Sequence, residues 1–206
     1  LLTRPEKRLT PGEYRAFLSP AALNELFSFL TWGAFSERAI SQQSSALARF
    51  ARGEARFSPF LTLEEAPGRL GAPLFQSAGF QLPAQLTLVQ GGELVGSMVG
   101  PRSAAEYQRS VTSSEEEVPQ ALSLSAGKLP LSRAAEALGE GAWLSDLWYL
   151  NYSDQAAGRV TGMSRFASLW IEGGEPVAPL AVMRFDDTLE RTLGTELEAL
   201  TQERTL

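Results

Sequence analysis

The chain has 206 residues, with 18 Lys and Arg against 24 Asp and Glu for a formal charge of −6, and it contains neither His nor Cys. Those two absences exclude a Ser-His-Asp triad, imidazole acid–base chemistry, thiolate or imidazole zinc sites, iron–sulfur clusters and disulfide scaffolds. The acidic balance argues against nucleic-acid backbone binding, while 44% hydrophobic and 20% charged residues are ordinary globular usage with enough apolar material for a core.

In chain order, residues 1–12 are polar with Pro5, Pro11 and Gly12, and read as a linker entering a domain that occupies 13–206. Residues 13–18 begin with polar–apolar alternation, a short strand. Ser19-Pro20 then supplies a hydroxyl N-cap and a proline for the first helical turn. The following Leu23, Leu26, Phe27 and Leu30 lie at i, i+3, i+4 and i+7, one apolar stripe of a helix over 19–31. Residues 41–51 suit either a helix or an ordered loop, and 57–63 have strand character. Gly and Pro crowd 64–80, which should be an irregular loop.

Residues 86–99 flank Gly91-Gly92 with two apolar runs, the pattern of a tight hairpin. A short helix is expected over 101–108. A solvated loop should cover 110–120, because Glu115-Glu116-Glu117 sits among Ser and Thr. Residues 121–125 read as a strand. Residues 130–139 read as a helix capped by Ser132, with Glu136 near the third position and Gly139 as its stop. Residues 142–150 read as one aromatic strand, 151–163 as a polar loop, and 166–171 as a strand turning at Gly173-Gly174 into 177–185. A polar helix over 188–203 closes the chain. The sum is an α+β fold: a large, mostly antiparallel sheet with a few packed helices.

No apolar run reaches the ~18 residues of a membrane span, and residues 1–9 lack an apolar signal-peptide centre. The expectation is a cytoplasmic protein with no membrane or nucleic-acid partner and no cofactor.

Four segments resemble a known family. Pro11-Gly12-Glu13-Tyr14-Arg15-Ala16-Phe17-Leu18-Ser19-Pro20 is similar to the entry strand and helix start of the C-terminal domain of TldD/PmbA proteins, also called modulators of DNA gyrase. Ala72-Pro73-Leu74-Phe75, Ala78-Gly79-Phe80 and Leu88-Val89-Gln90-Gly91-Gly92-Glu93-Leu94-Val95-Gly96 resemble its loop and "LV-x-x-G-x-L-x-G" hairpin. Asn151-Tyr152 with Val160-Thr161-Gly162-Met163-Ser164-Arg165 resembles its "N…TG-x-F-S-R" loop, and Leu169-Trp170-Ile171-Glu172-Gly173-Gly174-Glu175-Pro176-Val177 its "W-I-E-x-G-x-x-x-P" hairpin. Their order and approximate spacing agree from Pro11 to about Asp187.

That resemblance implies a metallopeptidase setting. TldD-type members carry an H-E-x-x-x-H metal helix and pair with TldE-type members that lack the full metal set; the pair acts on unfolded or modified peptides. Where the metal motif falls, this chain reads Asn24-Glu25-Leu26-Phe27-Ser28-Phe29. Asn24 and Phe29 replace both imidazoles, and neither an amide nor a phenyl ring is a good transition-metal ligand. The implied role is a metal-free, PmbA/TldE-like subunit whose partner is a metal-bearing TldD-like paralogue or a second copy, with peptide as substrate. The alternative is a stand-alone peptide-binding or structural domain. Family members also carry an N-terminal domain and a last strand, so the chain resembles a portion of a longer protein. Without metal-activated water, Glu25 reads as a solvated or salt-bridged helix residue rather than a general base. The residues implied for peptide contact are Asn151, Thr161, Gly162, Ser164 and Arg165. Trp143, Trp148, Tyr149, Tyr152 and Trp170 read as core aromatics, with a peptide groove as their alternative.

Overall fold

In the computed structural model, which describes residues 3–203, the chain enters through β1 (Ala16–Leu18). It then turns at Ser19 into α1 (Pro20–Leu30), with Pro20 in the first turn and the Ser19 hydroxyl accepting from the Ala22 N–H at 3.2 Å. Leu26, Phe27 and Leu30 are buried as the spacing predicts, Leu23 is half-buried, and Ala22 and Phe29 widen the apolar face. Two short helices follow: α2 (Glu37–Ser41), which ends as the stretch where helix or loop was expected begins, and α3 (Ala48–Ala51), which lies inside it. The strand expected over 57–63 starts only at β2 (Leu63–Glu65), and a 3-10 turn, Pro67–Leu70, interrupts the irregular segment after it.

The hairpin of β3 (Leu86–Gln90) and β4 (Glu93–Leu94) turns at Gly91 (φ +55°) and Gly92 (φ +86°), the paired positive φ values of a two-residue turn. α4 (Pro101–Tyr107) and β5 (Leu122–Leu124) lie where expected. Residues 130–139 form a 3-10 turn, Leu131–Arg133, and then α5 (Ala134–Leu138), ended by Gly139. Ser132 falls inside that turn, so neither helical start has a side-chain cap.

The expected strand over 142–150 is two strands, β6 (Gly141–Leu144) and β7 (Asp146–Asp154). The expected loop over 151–163 is the end of β7, a turn at 155–158 and β8 (Arg159–Arg165). β9 (Leu169–Glu172) and β10 (Glu175–Pro179) form the Gly173-Gly174 hairpin, and β11 (Arg184–Thr188) follows. The expected terminal helix shrinks to two helical residues and a π turn over Arg191–Thr195. Thr188 there belongs to β11, and Gly194 sits against the Arg56 backbone, a close approach that serves packing rather than helix length.

The fold is α+β, and its strands divide into three sheets: β1-β6-β9-β10, β11-β8-β7 and β4-β3-β2-β5. Pairing is antiparallel except between β1 and β6. The first two sheets are halves of one long ribbon, since β6 pairs with β9 and β7 with β8. At the bend the Ser145 N–H donates to Ser168 Oγ and the Ser145 hydroxyl donates to the Arg165 carbonyl. α1 packs along β7, with the Phe29 ring 4.5 Å from Tyr152. A single apolar core joins α1 to all three sheets through Leu63, Leu88, Leu144, Leu147 and Val160.

Two polar features depart from the sequence reading. Lys7, inside the expected linker, is fixed by its backbone: its N–H donates to the Pro179 carbonyl and its carbonyl accepts from Ala181. Glu117, expected on a solvated loop, is 1% exposed with φ +57°. Its carboxylate accepts from the Arg38 N–H at the start of α2, from the Gly100 N–H at the start of α4, and from the Ser36 hydroxyl.

Candidate functional site

The positions of the degenerate metal motif do not converge. Asn24 and Glu25 are exposed on α1, whereas Phe29 is buried between Trp32 and Tyr152. Residues i and i+5 of a helix lie on different sides, and the core takes the second. One carboxylate, one amide and a buried phenyl ring do not make the N/S/O donor set of a catalytic transition metal. Among the described residues, no three Asp or Glu side chains gather as a metal-holding group either.

The residues implied for peptide contact separate into two sets, because β8 lies between β7 and β11 and most of its residues are covered. Thr161 and Ser164 are buried, Thr161 bound to β11 and Ser164 to the residue just before it. The Thr161 hydroxyl donates to the Phe185 carbonyl at 2.9 Å and accepts from Arg184 Nε at 3.0 Å. Ser164 Oγ accepts from the Met183 N–H at 3.0 Å. Gly162 is pressed between Leu150 and Phe185, where any Cβ would meet both side chains. These three residues join strands, which corrects the expected loop over 151–163 to paired strand. Asn151 is exposed, but its side-chain oxygen accepts from the next residue's N–H.

Arg165 behaves differently. Its guanidinium lies 3.5 Å above the Trp148 ring and 4.6 Å from the Phe166 ring, a cation held by two π faces. Tyr149 packs edge-on against Trp148 at 5.2 Å, and Met163 is the cross-strand partner of Trp148. Trp148, Tyr149, Met163 and Phe166 are all exposed, Tyr149 and Phe166 by two thirds or more. The cluster sits beside the ribbon's bend, on edge strand β7 and the end of β8. Tyr149 (φ +54°) and Phe166 (φ +56°) hold left-handed backbone without being glycine. Such strain persists where surrounding structure imposes it, and it concentrates at functional sites. A bulge between Trp148 and Asn151 puts Tyr149 outside the alternation, so two consecutive aromatics face solvent.

The aromatic group read from sequence therefore divides. Trp170 is buried, and Trp143 stacks on Phe17 at 3.9 Å. Tyr152 packs on α1 with its hydroxyl buried and unpartnered, and burial pushes its phenol up to about 12. Trp148 and Tyr149 are surface residues, and Phe166 joins them although the sequence reading left it in a strand. Adjacent aromatics in a half-exposed ribbon were the visible signal; the left-handed backbone that turns them outward was not.

The model of the PmbA/TldA metallopeptidase C-terminal domain matches residues 11–206. No curated protein sequence matches the chain. Several solved structures share its fold, among them these three. A putative modulator of a DNA gyrase from Thermotoga maritima is 15% identical with a TM-score of 0.78, over 96% of this chain and 48% of that one. TldE from Thermococcus kodakarensis is 17% identical with a TM-score of 0.71, over 91% and 45%. A putative modulator of DNA gyrase from Bacteroides thetaiotaomicron is 20% identical with a TM-score of 0.76, over 92% and 42%. The chain thus spans less than half the length of each, and at these identities the likeness is one of fold.

Proposed function

Because the chain belongs to the family of PmbA/TldA metallopeptidase C-terminal domains, we propose that it is a metal-free, TldE-like subunit. In this reading it works in the cytoplasm beside a metal-bearing paralogue and helps hold peptide for that partner to cleave. The observation that carries it is the helix where the family keeps its metal ligands: Asn24 and Glu25 face solvent, Phe29 is in the core, and no His or Cys exists elsewhere in the chain. A chain so composed supports catalysis through surface rather than chemistry. The surface it offers is the Arg165 cluster, where a guanidinium can meet a peptide carbonyl or carboxylate and the aromatic rings can pack its side chains.

The test is reconstitution with a metal-bearing family member from the same organism, followed by peptide cleavage with and without chelator. The chain alone should be inactive, and the mixture should cleave in a chelator-sensitive manner. Arg165→Ala should leave assembly intact and lower kcat/KM about tenfold or more, the scale of one charge-assisted hydrogen bond. Chelator-resistant cleavage by the isolated chain would sink the reading, and so would failure to associate with any such paralogue.

A further inference from the structure

A groove of about 530 Å³ opens between the segment leading to β1, the start of β6, and β9. Its size falls within the range of small-molecule sites. Three features of its wall point the same way. Lys7 and Arg8 both line it, and among the described residues neither side chain has a carboxylate partner, while neighbouring Glu13 and Arg15 are neutralised by Arg191 and Glu198. Lys7 is half-buried, so its ammonium sits in a partly desolvated place with only the Trp170 ring, 4.1 Å away, against it. A cation so placed gains more from an arriving anion than one in bulk water.

Trp170 is the second feature. It forms the groove's aromatic wall together with Tyr14, whose ring meets it edge-on at 6.0 Å, and the Trp170 indole N–H is buried with no acceptor among the described residues. The third is backbone. Lys7 is anchored by both its main-chain groups to the strand segment at 179–181, whereas the N–H groups of Arg8, Leu9 and Thr10 make no backbone hydrogen bond among the described residues. Lys7 is therefore fixed at its base, with unused backbone donors alongside. Among the described residues Glu140 is the one unpaired carboxylate on the rim, leaving the unpaired charges there two positive to one negative.

We propose that this groove binds a small organic anion, an oxyanion group carried on an apolar or aromatic body. The oxyanion meets Lys7 and Arg8, and the body lies along Tyr14 and Trp170. The site is separate from the Arg165 cluster and does not depend on the subunit role. A carboxylate and a phosphate share this chemistry, and the test separates them.

The experiment titrates the full chain with 4-phenylbutyrate, phenyl phosphate, inorganic phosphate and the neutral 4-phenylbutanol. The readout is the Trp170 indole N–H resonance, assigned through Trp170→Phe. At least one of the two aromatic anions should give a saturable shift, and the tighter one names the oxyanion. The alcohol and inorganic phosphate should bind at least about tenfold more weakly, since each lacks one half of the recognition. Lys7→Gln and Arg8→Gln, which alter only side-chain heads, should each weaken the tighter anion by about tenfold, and Glu140→Gln should tighten it. No saturable shift with either aromatic anion, equal binding of the alcohol, or unchanged affinity in both Gln variants at Lys7 and Arg8 would overturn the proposal. None of these results bears on association with a paralogue.

Discussion

Thr161 and Glu117 show how burial reassigns a polar side chain. Thr161 gives its hydroxyl hydrogen to one β11 carbonyl and its lone pair to the Arg184 guanidinium. Thr161→Val keeps the shape and β-propensity but leaves both partners unmet, which should lower stability by about 1–3 kcal/mol. Urea denaturation reads that difference; an unchanged midpoint would mean that water replaces the hydroxyl without loss. Glu117 is the acid-sensitive case. Burial works against its charge, but hydrogen bonds from Ser103, Ser36, Gly100 and Arg38 outweigh it and hold the carboxyl below its ordinary 4.5. A depressed folded-state value means that the unfolded chain takes the proton first. The contribution is then complete above pH 4.5 and is lost as pH falls through the folded value. Glu117→Gln should therefore be less stable than the parent at pH 7, and the gap should close progressively below pH 4.5. A gap that is constant from pH 7 to pH 3 would disprove this account. The other depressed carboxylates, such as Glu13, Glu54 and Glu136, are exposed ion pairs whose effect solvent screens.

At the scale of elements, both glycine hairpins were legible, because two adjacent residues with positive φ have few substitutes. Their two glycines are not equivalent. Gly91 (φ +55°) has open space where a Cβ would go, while a Cβ on Gly92 (φ +86°) would meet the Phe57 and Ser58 backbone. Gly91→Ala should thus lose about 1–2 kcal/mol, the left-handed penalty alone, and Gly92→Ala distinctly more. Equal midpoints for the two variants would show that the 57–58 segment yields. α1 was legible too, through Ser19-Pro20 and its apolar stripe. The ribbon was legible only in part. Residues 142–150 read as one strand because apolar character runs through the bend at Ser145, and 151–163 read as a loop because β7 and β8 turn polar residues and glycine to solvent and to β11. Tertiary pairing there overrides local composition. The same override buries Thr161, Gly162 and Ser164 in a paired strand, while the Arg165 guanidinium lies on exposed aromatic rings.

For the whole molecule, the described strands form three sheets that share one core with α1 and α3, and the chain has neither His nor Cys. Dialysed protein should accordingly retain far less than one zinc per chain by elemental analysis; stoichiometric zinc would contradict the donor chemistry set out above. Oxygen-ligated Ca²⁺ or Mg²⁺ falls outside that expectation. The family was readable from four short motifs in order, since hairpin glycines and the helix start are written locally. The aromatic face and the Lys7 groove were not, because each depends on segments far apart in sequence. Lys7 meets Trp170, and Arg165 meets Trp148, only after the ribbon has folded.

The Glu117 carboxylate also sets an order of events. It binds groups 79 and 81 residues upstream, at the head of a five-residue helix, and a third group at the head of a seven-residue one. Neither helix is long enough to persist alone. During synthesis the α2 segment must wait for some eighty further residues before its anchor exists, and α4 for seventeen. A nascent chain halted before Glu117 would leave both segments unfastened, and the amides of Arg38 and Gly100 should gain exchange protection together once that residue arrives.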